Sequence, residues 1–171
     1  MKIIDNAISV ENLNIIQEIM LGCAFPWFYN THTIDEHTSS GLNDFQFTHQ
    51  FYVDANRYGY PESNHFNIIK PILEILKCRI LIRAKANLRV VAPEKDMVAG
   101  WHRDYEYKSK TAIFYVNSNN GYTMFKERGK KVESVENRLV VFPTELEHCG
   151  VSCTDNKQRV VINFNFLGQE L

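Results

Sequence analysis

The sequence predicts an α+β fold, mainly β: an antiparallel sandwich or jelly-roll with N-terminal helices packed on one sheet. Three observations carry this. Helical periodicity is confined to the first 76 residues of a 171-residue chain. From Arg79 onward, short segments of alternating polarity follow one another at close intervals, separated by turn residues. Helices first and many strands after is the order expected when helices cover one face of an antiparallel sheet. There are no repeats, low-complexity tracts or linkers, and the length suits one domain with a substantial core. The predicted organisation is a single domain, 1–171, with 1–78 as a helical and lid-forming support and 79–167 as the β core.

Ser9 or Asp5 can cap a first helix in which Leu13, Ile16, Ile19 and Met20 recur at helical spacing, with Gly22 as its stop. The aromatic cluster Phe25, Trp27, Phe28 and Tyr29 reads as packing at a helix-to-loop junction. Residues 30–44 form a polar, turn-rich connection that is either a lid or a peripheral excursion. His32 and His37 fall there with no partner spacing and read as solvated. Phe45, Phe47, His49 and Phe51 alternate with polar residues as a strand does, and His49 reads as a satisfied core histidine. Ser63 can cap a second helix with Phe66, Ile69, Leu73 and Leu76 inward, kinked by Pro71. Ile80 to Val90 is the clearest strand; its polar face, Arg79 to Arg89, either lines a cavity or faces water, the exposed face being the commoner outcome. Further strands are predicted over 111–117, 122–126, 132–135, 138–142, 148–152 and 158–166.

Composition narrows the function classes. Apolar residues make up 44% and charged residues 23%, ordinary for a globular protein. A formal net charge of −1 gives no global field toward nucleic acid or a membrane surface. The N-terminus gains acidic and amide residues before any long apolar run, unlike a signal peptide or anchor. No stretch approaches the roughly 20 apolar residues of a membrane span. The expectation is a cytoplasmic protein with Cys23, Cys78, Cys149 and Cys153 as free thiols. Cys149 and Cys153 lie beside His148, but no second ligand pair completes a structural zinc site.

The chemistry centres on Gly100-Trp101-His102-Arg103-Asp104. On extended backbone His102 and Asp104 point the same way, about 6–7 Å apart. An imidazole and a carboxylate so placed can share one metal. His148, 44 residues past Asp104 at the end of a strand-like run, can supply a second imidazole. Two His and one carboxylate form the facial triad that leaves open positions on non-haem Fe(II). Arg159 shares a strand face with Val161, Asn163 and Asn165. Burying an arginine and two asparagines on one face is costly unless that face lines a polar pocket.

From Arg79 to Leu167 the sequence resembles the Fe(II)/2-oxoglutarate-dependent dioxygenases, specifically their small prolyl-4-hydroxylase-like branch. Besides His102, Asp104 and His148, Thr111-Ala-Ile-Phe-Tyr-Val-Asn117 looks like that family's strand with a Tyr-Leu-Asn-type ending. Asn120-Gly121-Tyr122-Thr123-Met124-Phe125 looks like its Gly-Gly-x-Thr-x-Phe turn and strand, with one glycine missing. Asn137 to Phe142 resembles the segment before the distal histidine. The resemblance implies a double-stranded β-helix in which His102, Asp104 and His148 hold Fe(II). Arg159, as a bidentate cation, and Tyr115, as a hydroxyl donor, would hold the far carboxylate of 2-oxoglutarate. It implies O₂ as second co-substrate, ascorbate as a reductant, and hydroxylation of a prolyl residue, peptide or small molecule. Relatives often carry a tyrosine about ten residues before the first histidine; Ala92 stands there, and Asn87 is the candidate to replace it.

Two other classes compete. A cupin-like module would hold a metal without catalysis, Arg159 serving only structure. A nucleic-acid demethylase would need a basic groove and stacking aromatics, against which the net charge and the single Lys126–Lys131 cluster argue. Trp101 reads as a packing residue and Arg103 as exposed or ion-paired.

Overall fold

The computed structural model describes residues 1–32, 45–54, 63–94, 100–105 and 108–169. In chain order it has β1 (Lys2–Ile4), α1 (Val10–Met20), β2 (Phe28–Asn30), β3 (Gln46–Val53), a 3-10 turn (Phe66–Ile69) and α2 (Lys70–Ile75). Then come β4 (Cys78–Val90), β5 (Lys110–Tyr115), β6 (Tyr122–Phe125), β7 (Lys131–Glu133), β8 (Arg138–Pro143), β9 (His148–Val151) and β10 (Gln158–Gly168). Seven strands form one sheet in the order β1-β8-β5-β10-β4-β3-β2, and β7-β6-β9 form a smaller one. This is the predicted jelly-roll with its helices on the large sheet.

Helix α1 starts where expected. The Ser9 hydroxyl accepts from the Asn12 amide at 3.3 Å, and Leu13, Ile16 and Met20 are buried. Asp5 is not the cap; it takes the Arg138 guanidinium, with Nε to Oδ1 at 2.6 Å. The second helix departs from expectation. Pro71 falls in the first turn of α2, where its missing N–H has no intrahelical partner to lose, so it begins the helix instead of kinking it. The residues before it form the 3-10 turn, and the Ser63 hydroxyl accepts from the His65 amide. Strands β1 and β2 were not anticipated. Each has three residues, and most of them are exposed. Most of the 30–44 connection, His37 included, lies outside the described residues.

Alternation along the strands sorts side chains into two cores. From β5, Ala112 and Phe114 join the main core under the helices, with Phe51, Ala86, Phe164, Ile16 and Leu76. Ile113 and Tyr115 turn the other way, into a smaller core with Phe125, Val140, Phe142 and Val161. His49 is satisfied as expected, its ring nitrogens 3.0 Å from Pro26 O and 3.0 Å from Ser63 Oγ. The space between the sheets is therefore filled with hydrocarbon at one end and left to polar residues at the other.

Asn137 fastens the N-terminal segment to this frame. Its backbone is left-handed, φ 59°. Its amide oxygen accepts from Ile8 N at 3.0 Å and its amide nitrogen donates to Ile8 O at 2.8 Å, both buried. Asn137→Ala leaves both Ile8 groups unpaired and puts a Cβ residue without local compensation in the left-handed region. The expected loss is about 2–4 kcal/mol by urea denaturation. Asn137→Gly, which relieves the backbone but not the lost bonds, should lose less. Equal stability of Asn137→Ala and wild type would show that the clamp contributes nothing.

Candidate metal centre

Gly100, at φ 82°, turns the chain into the site, a conformation that suits glycine. His102 then pairs with His148 of β9 as an isolated antiparallel bridge. The His102 amide donates to His148 O at 3.1 Å and the His148 amide to His102 O at 3.0 Å. Backbone pairing thus brings the two imidazoles to a centroid separation of 4.5 Å. Phe142 packs edge-on against His148 at 4.8 Å, fixing the ring from behind.

The ring nitrogens are oriented by carbonyls. His148 Nδ1 lies 3.0 Å from Leu146 O, and His102 Nδ1 3.5 Å from Gly100 O. A carbonyl only accepts, so each Nδ1 carries the proton and each Nε2 offers a lone pair. Asp104 is held on one side. Its Oδ2 accepts from Thr111 Oγ1 (2.9 Å), Asn165 Nδ2 (3.0 Å) and Asn163 Nδ2 (3.3 Å). Its Oδ1 accepts from Arg83 Nη2 at 3.2 Å and faces His102 Nε2 at 4.0 Å. One ligand atom from each of His102, Asp104 and His148 lies within 4.8 Å of the others. Two neutral nitrogens and one anionic oxygen at that spacing fit a divalent first-row metal with positions to spare. Among the described residues it is the one cluster of three or more His, Cys, Asp or Glu side chains that does so.

Electrostatics agree. Burial, reinforced by the neighbouring His148, pushes the His102 pKa down to about 4, so the ring is neutral at pH 7. Burial opposes ionisation of Asp104, but His148, Arg83, His102 and the Asn165 hydrogen bond outweigh it and hold the carboxyl at about 2.

Arg159 lies in the same cavity, of about 340 Å³. It is buried, with Nε donating to Ser134 Oγ at 2.9 Å and Nη2 to Thr123 Oγ1 at 3.2 Å. Tyr115 is fully buried and its hydroxyl donates to the same Thr123 oxygen at 2.8 Å. Gly121 makes room for the arginine: a Cβ there would stand 2.7 Å from Arg159 Cδ and 2.8 Å from Val151 O.

Two expectations are corrected. Of its two alternatives the polar face of β4 takes the less common one: Arg79 is exposed, but Arg83, Lys85, Asn87 and Arg89 line the cavity, because β4 lies between β10 and β3 with its other face in the main core. Trp101 is 38% exposed and belongs to neither core. Arg103 reaches Glu147 at 3.9 Å on the rim. Ala92 contributes a backbone bond, its amide donating to Cys153 O. Arg83 and Thr111 were missed as partners of Asp104. The signal was available in their parity, since Arg83 lies opposite Asn165 and Asn165 opposite Thr111.

No family model and no curated protein matches the sequence. The fold is nevertheless shared with solved oxygenases. A 2OG-Fe(II) oxygenase family oxidoreductase from Burkholderia pseudomallei aligns at TM-score 0.66 and 14% identity, covering 95% of this chain and 82% of that one. A prolyl hydroxylase from Trichoplax adhaerens, solved with a hypoxia inducible factor peptide fragment, aligns at TM-score 0.68 and 11% identity over 98% and 83%. The viral collagen prolyl hydroxylase of Paramecium Bursaria Chlorella virus-1, solved with 2OG, aligns at TM-score 0.62 and 12% identity over 96% and 93%. At these identities what is shared is the 2OG-Fe(II) oxygenase fold, that of the prolyl hydroxylases included.

A pH dependence follows from His102. Between pH 6.5 and about 4 its unfolded form binds a proton that the folded form does not, so stability rises with pH across that window. Acidifying the metal-free protein from pH 7 to 4.5 should cost on the order of 2 kcal/mol from this group, and His102→Gln should flatten the slope by that amount. Identical slopes by urea denaturation would mean that His102 is solvated.

Proposed function

We propose that the protein is a non-haem Fe(II)- and 2-oxoglutarate-dependent dioxygenase, coupling conversion of 2-oxoglutarate to succinate and CO₂ with hydroxylation of a prolyl residue, a peptide or a small molecule. The observation that carries this is the pairing of the His102–Asp104–His148 cluster with buried Arg159 in one cavity. A metal-binding module has no evident need for the second. The shared oxygenase fold supports the same reading.

Iron(II) held there would supply the redox chemistry, with O₂ as oxidant and ascorbate as its reductant. The chain's own residues bind and orient. His102 and His148 present Nε2, and Asp104 presents Oδ1 because its other oxygen is occupied by three donors. Arg159 is fixed by Ser134 and Thr123, so its guanidinium meets a carboxylate without first losing rotamer freedom. Tyr115 acts through Thr123. By donating to the threonine oxygen it turns the threonine hydrogen toward the carboxylate that Arg159 holds. Asn163 and Asn165 keep Asp104 ionised and aimed. The substrate enters over the open side of the triad, where Arg103 lines the cavity.

The test is anaerobic addition of Fe(II) and then 2-oxoglutarate, watching for the visible metal-to-ligand charge-transfer band. His102→Ala should show none. Arg159→Met should form the band only with at least about tenfold more 2-oxoglutarate, the loss expected for a charge-assisted bidentate contact. Gly121→Ala, which forces Arg159 aside, should shift the midpoint in the same direction while metal binding is kept. A folded, iron-loaded protein without a band would sink the reading in favour of the cupin-like module.

A further inference from the structure

The cavity holds more positive charge than the proposed chemistry uses. Among the described residues Arg83, Lys85, Arg89, Arg103 and Arg159 line it, against Asp104 as the one acidic lining residue. Iron(II) and the 2-oxoglutarate dianion cancel each other, so loading the centre leaves that excess in place. Arg83 is matched by Asp104, Arg159 is assigned to the co-substrate, Arg89 donates to Gly150 O at 3.4 Å, and Arg103 reaches Glu147.

Lys85 is different. It sits mid-strand on β4, with Asn163 of β10 and Gln50 of β3 as its cross-strand neighbours. Its ammonium makes no hydrogen bond or ion pair with any described residue. Burial and the nearby Arg83 charge push its pKa down to about 8, with Asp104 offsetting only part of the fall. Opposite it, Asn163 Oδ1 is the one buried side-chain polar atom without a hydrogen-bond partner among the described residues. Among the described residues an unpaired ammonium thus lines the cavity beside the triad, with a stranded acceptor on the adjacent strand. Left empty, such groups cost free energy.

We infer that the substrate is itself an anion, a small molecule with a carboxylate or phosphate that Lys85 binds, with Arg83 beside it. The inference rests on the dioxygenase reading, since the anion is placed by its distance from a centre already holding 2-oxoglutarate. It favours a free small anion over a neutral prolyl peptide. The cavity agrees with this: its 340 Å³ must hold both molecules, which leaves room for a compact second one.

The experiment uses the anaerobic Fe(II) complex at saturating 2-oxoglutarate, so that the co-substrate site is filled and the band reports on it. Two matched pairs of probes are titrated by calorimetry: N-acetylglycine against N-acetylglycinamide, and glycerol 3-phosphate against glycerol. The anionic member of at least one pair should bind about tenfold or more tighter than its neutral twin. Which pair shows the preference tells carboxylate from phosphate. Lys85→Met should remove the preference and Lys85→Arg should keep it, while the 2-oxoglutarate midpoint stays within about twofold in both. A band with no preference in either pair would overturn the anion inference and leave the dioxygenase reading standing. So would a Lys85→Met midpoint raised as far as that of Arg159→Met, which would make Lys85 a co-substrate ligand. Absence of the band in wild type would take down both readings.

Discussion

Everything at the centre of this protein hangs on how the Asp104 carboxylate is held. Four donors converge on it from three strands: Arg83 from β4, Thr111 from β5, and Asn163 and Asn165 from β10. A carboxylate this buried stays ionised because the neighbouring His148, Arg83 and His102 and the Asn165 hydrogen bond replace the water it has lost. The same bonds cross-link the middle of the large sheet, where β5, β10 and β4 are neighbours. Holding one side chain and holding the sheet in register are therefore one task. A strand slip by a single residue would turn every one of these donors into the main core.

The two ends of the space between the sheets follow from that arrangement. Where β5 and β10 carry Tyr115 and Val161, hydrocarbon from the small sheet fills the gap. Beside it, Arg83, Lys85 and Arg89 of β4 and Arg159 and Asn163 of β10 can be offered no apolar partner without stranding polar groups, and the sheets leave a cavity. Arg159 lies where the two regimes meet. Its stem lies against Gly121, and its head is hydrogen-bonded to Ser134 and Thr123.

Much of this was legible from residue order. Alternation located the strands from β3 onward, and the His102–Asp104 spacing with His148 and Arg159 located the cavity, because both signals are local and periodic. What escaped was decided across the chain. Lys2–Ile4 is a strand because β8 offers an edge, not because three residues prefer it. The polar side of β4 faces inward because the small sheet roofs it, which no periodicity within β4 can reveal. Pro71 starts a helix because the residues before it wind as a 3-10 turn. Thr111 looks like any strand threonine until β10 places Asn165 opposite it.

The reciprocal backbone bonds between His102 and His148 have a consequence for assembly. Two candidate ligands 46 positions apart in the chain are already joined as the two halves of one antiparallel bridge. The ordering of that long loop is then charged to folding, and an arriving ion finds its nitrogens in place. A metal held at such a centre would exchange without unravelling the fold. Its identity in the cell is then set by which ion is abundant and by ligand geometry, since the protein withholds no folding energy with which to choose.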